Sequence, residues 1–121
     1  MKKLFIIVSL ILLSGSIAAK DIQYVDMKQG YYFLYDAESS SPKTISCNNG
    51  DLVGYSKEMC VLYKDGYYKM YNAEGRFIGS ISKGKIGSVQ RIVGSTLVAR
   101  KDGYVSIWDS KGRLISERSV R

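Results

Sequence analysis

Apolar and polar positions alternate with a period of two along most of this chain, and turn dipeptides interrupt the alternation at regular intervals. Residues 95–117, STLVARKDGYVSIWDSKGRLISE, give the unit most clearly: three short strand patterns joined by two tight turns. The pattern occurs three times, at residues 28–46, 64–82 and 101–119. Its anchor glycines, Gly30, Gly66 and Gly103, lie 36 and then 37 residues apart, a spacing that marks an array of supersecondary units.

Each unit opens on a hairpin signal. Asp65-Gly66 and Asp102-Gly103 suit a type I′ turn, which needs positive φ at both central residues. Gln29-Gly30 fills the same slot in the first unit. Nine residues after the anchors, Asn72-Ala73-Glu74-Gly75 and Asp109-Ser110-Lys111-Gly112 place Asn or Asp first and Gly fourth, the type I preference. The first unit has Asp36-Ala37-Glu38-Ser39 followed by Ser40, Ser41 and Pro42, which predicts a longer turn there. The strand between the turns carries Tyr31, Phe33 and Tyr35 on one face and Tyr32 and Leu34 on the other. Its counterparts set Tyr67 and Tyr71 against Tyr68 and Met70, and Tyr104 and Trp108 against Val105 and Ile107. Strands apolar on both faces are expected to be covered on both, as in stacked sheets; the alternative is a strand of a single sheet that keeps its aromatic rings half exposed.

Further strands complete each unit. Residues 20–27, 59–63 and 96–100 precede the hairpins, with Ile22, Tyr24 and Asp26 expected on one face of the first. Residues 44–47, 77–82 and 114–117 follow the second turns. Residues 52–55 and 86–93 supply a fourth strand between units. No segment after residue 19 has a helical period, so the expected fold is all-β, with three repeats of about 37 residues forming antiparallel meander sheets.

Residues 1–19, MKKLFIIVSLILLSGSIAA, have the anatomy of a signal peptide: Lys2 and Lys3, an apolar stretch from Leu4 to Leu13, then Ser16, Ala18 and Ala19. Cleavage after Ala18 and cleavage after Ala19 both fit. The apolar stretch is short against the roughly 20 residues of a membrane span. The expected product is a single β-repeat domain, residues 20–121, exported to the periplasm or secreted. Export makes a disulfide between Cys47 and Cys60, the only two cysteines, the default expectation.

Charge is unevenly spread. Residues 20–75 hold 6 lysines against 8 acids, a net of −2, whereas residues 76–121 hold 10 Lys or Arg against 3 acids, a net of +7. For an exported chain such a basic half points to lipid head groups, cell-wall polymers or an acidic protein before nucleic acid. Ordinary solvated charge is the competing reading, favoured because the basic residues are dispersed without a run of four or more. The sequence contains no His, so the commonest general base and metal ligand is missing. Asn48-Asn49-Gly50-Asp51 reads as a turn, and no ligand spacing for a metal or motif for a cofactor is present. Asp65 and Asp102 are turn residues rather than a carboxylate pair. Tyr68, Tyr71 and Trp108 are a candidate binding surface, for which core packing is the competing reading.

The third unit resembles a blade of a WD-repeat β-propeller, through Asp102-Gly103, Val105, Ile107, Trp108-Asp109 and Gly112. The second resembles it through Asp65-Gly66, Met70, Tyr71-Asn72 and Gly75, and the first through Gly30, Leu34 and Tyr35-Asp36. The family's Gly-His pair is absent. Three units are also fewer than the four to eight blades of a closed propeller. The resemblance implies a binding platform rather than an enzyme. Closure is then expected either within the chain, as a small barrel or curved meander, or by self-association or a protein partner. The expected function is a non-catalytic binding or assembly protein. The alternatives are a module for glycans or anionic envelope polymers, or a secreted enzyme inhibitor presenting the Cys47–Cys60 loop.

Overall fold

The computed structural model describes residues 21–37 and 41–120; the signal-peptide reading of residues 1–19 lies outside them. The chain is all-β. Eleven strands form three antiparallel sheets, each a meander in chain order. The first sheet holds β1 (Tyr24–Lys28), β2 (Tyr31–Tyr35) and β3 (Lys43–Ser46). The second holds β4 (Asp51–Tyr55), β5 (Met59–Lys64), β6 (Tyr67–Asn72) and β7 (Phe77–Ser82). The third holds β8 (Ser88–Val93), β9 (Thr96–Lys101), β10 (Tyr104–Asp109) and β11 (Leu114–Ser119). The chain therefore forms three separate sheets and not a single barrel.

The hairpin chemistry is as the turns dictate. Gln29, Asp65 and Asp102 have φ of 54°, 53° and 51°, and the glycine after each is also positive. This is the backbone of a type I′ turn. The second turns close through the first residue's side chain. Asn72 Oδ1 accepts from the backbone N–H groups of Glu74 and Arg76, and Asp109 Oδ1 accepts from those of Lys111 and Arg113. Backbone donation from Arg113, together with its guanidinium and the Lys111 N–H, holds the Asp109 carboxyl below the usual carboxylate range. Gly75 and Gly112 follow with positive φ, and the β6–β7 and β10–β11 registers shift by one residue beside them. The longer turn expected in the first unit includes residues 38–40, which lie outside the described residues.

Two apolar layers separate the sheets. Ile22, Tyr32, Leu34, Ile45, Cys60, Leu62 and Tyr71 fill the layer between the first and second. Met59, Val61, Tyr68, Met70, Ile81, Ile86, Leu97 and Ala99 fill the layer between the second and third. Strand β5 contributes alternate residues to both, and Met59, Cys60, Val61 and Leu62 have no solvent exposure. The expectation of strands covered on both faces thus holds for the middle sheet. The first and third sheets are covered on one face each.

Three details differ from the sequence pattern. Ile22 precedes β1 and packs inward, fixed by its N–H on the Lys57 carbonyl, while Tyr24 faces away. Ile86, expected to begin a strand, instead closes one helical turn, α1 (Lys83–Ile86), and a 3-10 turn occupies Cys47–Asn49. Both begin on a serine whose side chain accepts a backbone N–H, Ser82 from Gly84 and Ser46 from Asn48. Such short polar caps stabilise a single turn that no hydrophobic period announces.

The third difference concerns the cysteines. Cys47 and Cys60 are free thiols and not a disulfide. Cys47 lies near the Tyr63–Lys64 end of β5, in a cleft with both residues, whereas Cys60 pairs with Tyr55 at the opposite end. Cys60 lies three positions along β5 from Tyr63, about 10 Å.

Glycine substitutions separate turn strain from sheet spacing. Gly66 has φ +89° with open space around a notional Cβ. Gly66→Ala should therefore cost only the backbone term, about 1–2 kcal/mol. A Cβ on Gly79 would collide with the Ser110 carbonyl of the third sheet. Gly79→Ala should lower the urea midpoint more than Gly66→Ala; an equal or smaller loss would contradict this packing.

Candidate binding surfaces

The interfaces between sheets are built by a repeated contact. Tyr32 of β2 donates its hydroxyl to the Gly50 carbonyl at 2.8 Å, just before the second sheet. Tyr68 of β6 occupies the equivalent position in the next unit. It donates to the Gly87 carbonyl at 3.2 Å and accepts from the Val89 N–H, just before and within the third sheet. Lys64 Nζ donates to the Asn48 carbonyl, and Lys101 Nζ to the Gly84 carbonyl, so each following sheet reaches back to the turn it enters from. Burial raises the Tyr32 hydroxyl pKa, with a smaller contribution from Cys47.

The sequence-predicted aromatic trio is not a platform. Tyr68 is 5% exposed and Tyr71 is 6% exposed, and they belong to different apolar layers. Trp108 is half-buried against the second layer, its Nε1 donating to Ser106 Oγ and Lys85 Nζ lying 5.3 Å from its ring centroid. All three are packing residues. Gly30, Asp65, Gly66, Gly75, Asp102, Gly103 and Gly112 are turn residues, as their spacing indicated.

The exposed aromatic surface lies elsewhere, on the outer face of the first sheet. Tyr24 pairs with Tyr35 and Asp26 with Phe33 across β1 and β2. The Tyr24 and Tyr35 rings stack at 4.6 Å, and Phe33 stacks on Tyr35 at 6.3 Å. Lys28 Nζ lies over Phe33. Tyr31 and Tyr24 are each about half exposed. The outer face of the third sheet differs in chemistry. Arg91, Val98 and Ile107 form one row across β8, β9 and β10, and Arg100 and Val105 the next. Arg118 of β11 pairs with Val105. Val98 is 6% exposed and Val105 and Ile107 are half-buried, and three exposed arginines border them. Sequence reasoning identified the residues of both faces as strand positions but singled out aromatics that pack in the layers, because alternation does not say which face of an end sheet is covered.

A cleft of about 430 Å³ is lined by Cys47, Asn48, Asp51, Tyr63, Lys64 and Asp65 among others. The Lys64 ammonium there is already bonded to Asn48, which makes this a turn contact rather than a receptor. Among the described residues, no three His, Cys, Asp or Glu side chains gather in a way that could hold a metal ion. No helix of the described residues is long and apolar enough to cross a membrane. Comparison of the chain with family models, curated proteins and solved structures finds no match.

The cysteines yield a direct check. Burial pushes the Cys60 thiol up from its ordinary 9.0 to about 12. A raised folded value means that stability is fully present below pH 9 and is lost as pH climbs toward 12. Tyr32 and Tyr71, raised from 10.0 chiefly by burial, add to the loss only at higher pH. The urea midpoint should fall between pH 9 and 10 and fall less in Cys60→Ala. A thiol reagent should label half-buried Cys47 in the folded protein and reach Cys60 only on unfolding. Equal labelling rates would contradict the burial of Cys60.

Proposed function

We propose that this chain is a small exported protein, periplasmic or secreted, that binds or assembles with other macromolecules and does no catalysis. The observation that carries this reading is the pair of uncovered faces at the ends of the sheet stack, one aromatic and one aliphatic with arginines. The first-sheet face exposes Tyr24 and Tyr31, and the third-sheet face sets exposed arginines around half-buried Val105 and Ile107; exposed apolar surface bordered by polar groups is a mark of interaction sites. Aromatic and arginine side chains are the types enriched at protein interfaces. The absence of histidine from the sequence and the turn roles of Asp65 and Asp102 support a non-catalytic role. The resemblance of the repeats to WD-repeat blades, which serve as binding platforms, agrees with it. The signal-like residues 1–19 support export.

A second reading draws on Arg91, Arg100 and Arg118. Three arginines on one sheet face suit an anionic envelope polymer, and such binding would weaken steeply with salt.

Photo-reactive side chains placed at positions 33 and 107 test the reading in the cell. Adducts with a macromolecule are expected from both positions, and none from Lys69 in the middle sheet. Absence of adducts from both faces would remove the proposed function.

A further inference from the structure

The two uncovered faces are related to each other by the repeat. Strand β2 turns Tyr32 and Leu34 toward the second sheet, and β6 turns Tyr68 and Met70 toward the third. Counted from the anchor glycines, the residues of β10 at the same positions are Val105 and Ile107. Their neighbours agree: Val25 pairs with Leu34, Val61 with Met70 and Val98 with Ile107. The outer face of the third sheet is therefore the face that, in the first two units, packs on the sheet that follows.

The opposite faces match in the same way. Tyr71 and its partner Cys60 pack on the preceding sheet, as do Trp108 and its partner Leu97. Their counterparts in the first unit are Tyr35 and Tyr24, the stacked pair that faces outward. The first sheet thus presents the half that receives a preceding sheet, and the third presents the half that packs on a following one. Within one chain the two halves lie at opposite ends of the stack and are separated by the middle sheet.

We infer that the outer face of the third sheet docks on the outer face of the first sheet of a second copy, head to tail. This rests on the binding reading above and names its partner. Charge favours the pairing: the third-sheet face carries Arg91, Arg100 and Arg118, and the first-sheet face carries Asp26 beside its rings, with Lys28 held over Phe33. Arg91 and Arg100 would meet Asp26 and the faces of Tyr24, Phe33 and Tyr35, and guanidinium groups stack well on aromatic rings. Pairing two third-sheet faces would instead set arginines against arginines. A head-to-tail contact of this kind closes into a ring or extends into a chain, according to the rotation per copy.

Complementing variants test the geometry. Protein purified from cells expressing the complete chain is measured by light scattering behind a sizing column. The unsubstituted protein should show at least twice the monomer mass, increasing with concentration. Phe33→Glu, which damages the first-sheet face, and Ile107→Glu, which damages the third-sheet face, should each be monomeric. Their circular dichroism should match that of the unsubstituted protein; Arg100→Glu replaces Ile107→Glu if the latter unfolds. Mixed in equal amounts, the two variants should recover a one-to-one dimer, because one intact face of each kind remains. Self-association of either variant alone, or failure of the mixture to dimerise, would overturn the head-to-tail contact. A monomeric unsubstituted protein would also overturn it. If positions 33 and 107 then still crosslink to another macromolecule, the binding reading survives; without adducts both fall.

Discussion

Burial of the middle sheet on both faces is the constraint on which the rest depends. Strand β5 sends Met59 and Val61 into one layer and Cys60 and Leu62 into the other. All four are fully removed from water. At roughly 1.5–3 kcal/mol for each large apolar side chain buried, this one strand supplies much of what a domain of this size needs. Neither end sheet could do the same. Each has one face in contact with solvent and sends buried side chains into one layer alone.

The layers are registered by polar contacts as well as by apolar area. Tyr32 and Tyr68 are large hydrophobes whose hydroxyls end on the carbonyls of Gly50 and Gly87. A tyrosine buried in this way stabilises only if its hydroxyl finds a partner, and the partner here is the turn that starts the next sheet. The contact therefore fixes where the next sheet begins as well as how it packs. The third unit has Val105 at this position, so the same face continues without a hydroxyl to direct. That difference separates an interface within the chain from a face left open.

Much of this was legible in the sequence, for physical reasons. Asp65-Gly66 and Asp102-Gly103 can satisfy a type I′ turn where few other pairs can, and the structure has those turns. Asn72 and Asp109 announce the second turns through side-chain oxygens that cap them. The choice of face was not legible. Tyr71 and Trp108 stand at the same repeat position as Tyr35, and only the stacking order says which are covered. The one-turn segments at Cys47–Asn49 and Lys83–Ile86 are too short to show a period. The expected disulfide came from cellular address and cysteine count, and neither contains the distance along β5 that separates the two thiols.

Native-state hydrogen exchange tests the central claim most directly. Amides of β5 and β6 should exchange only with global unfolding, while those of β1 and β11, at the outer edges of the end sheets, exchange through smaller openings. Protection concentrated in the first or third sheet, with β5 exchanging early, would contradict a fold organised on its middle sheet.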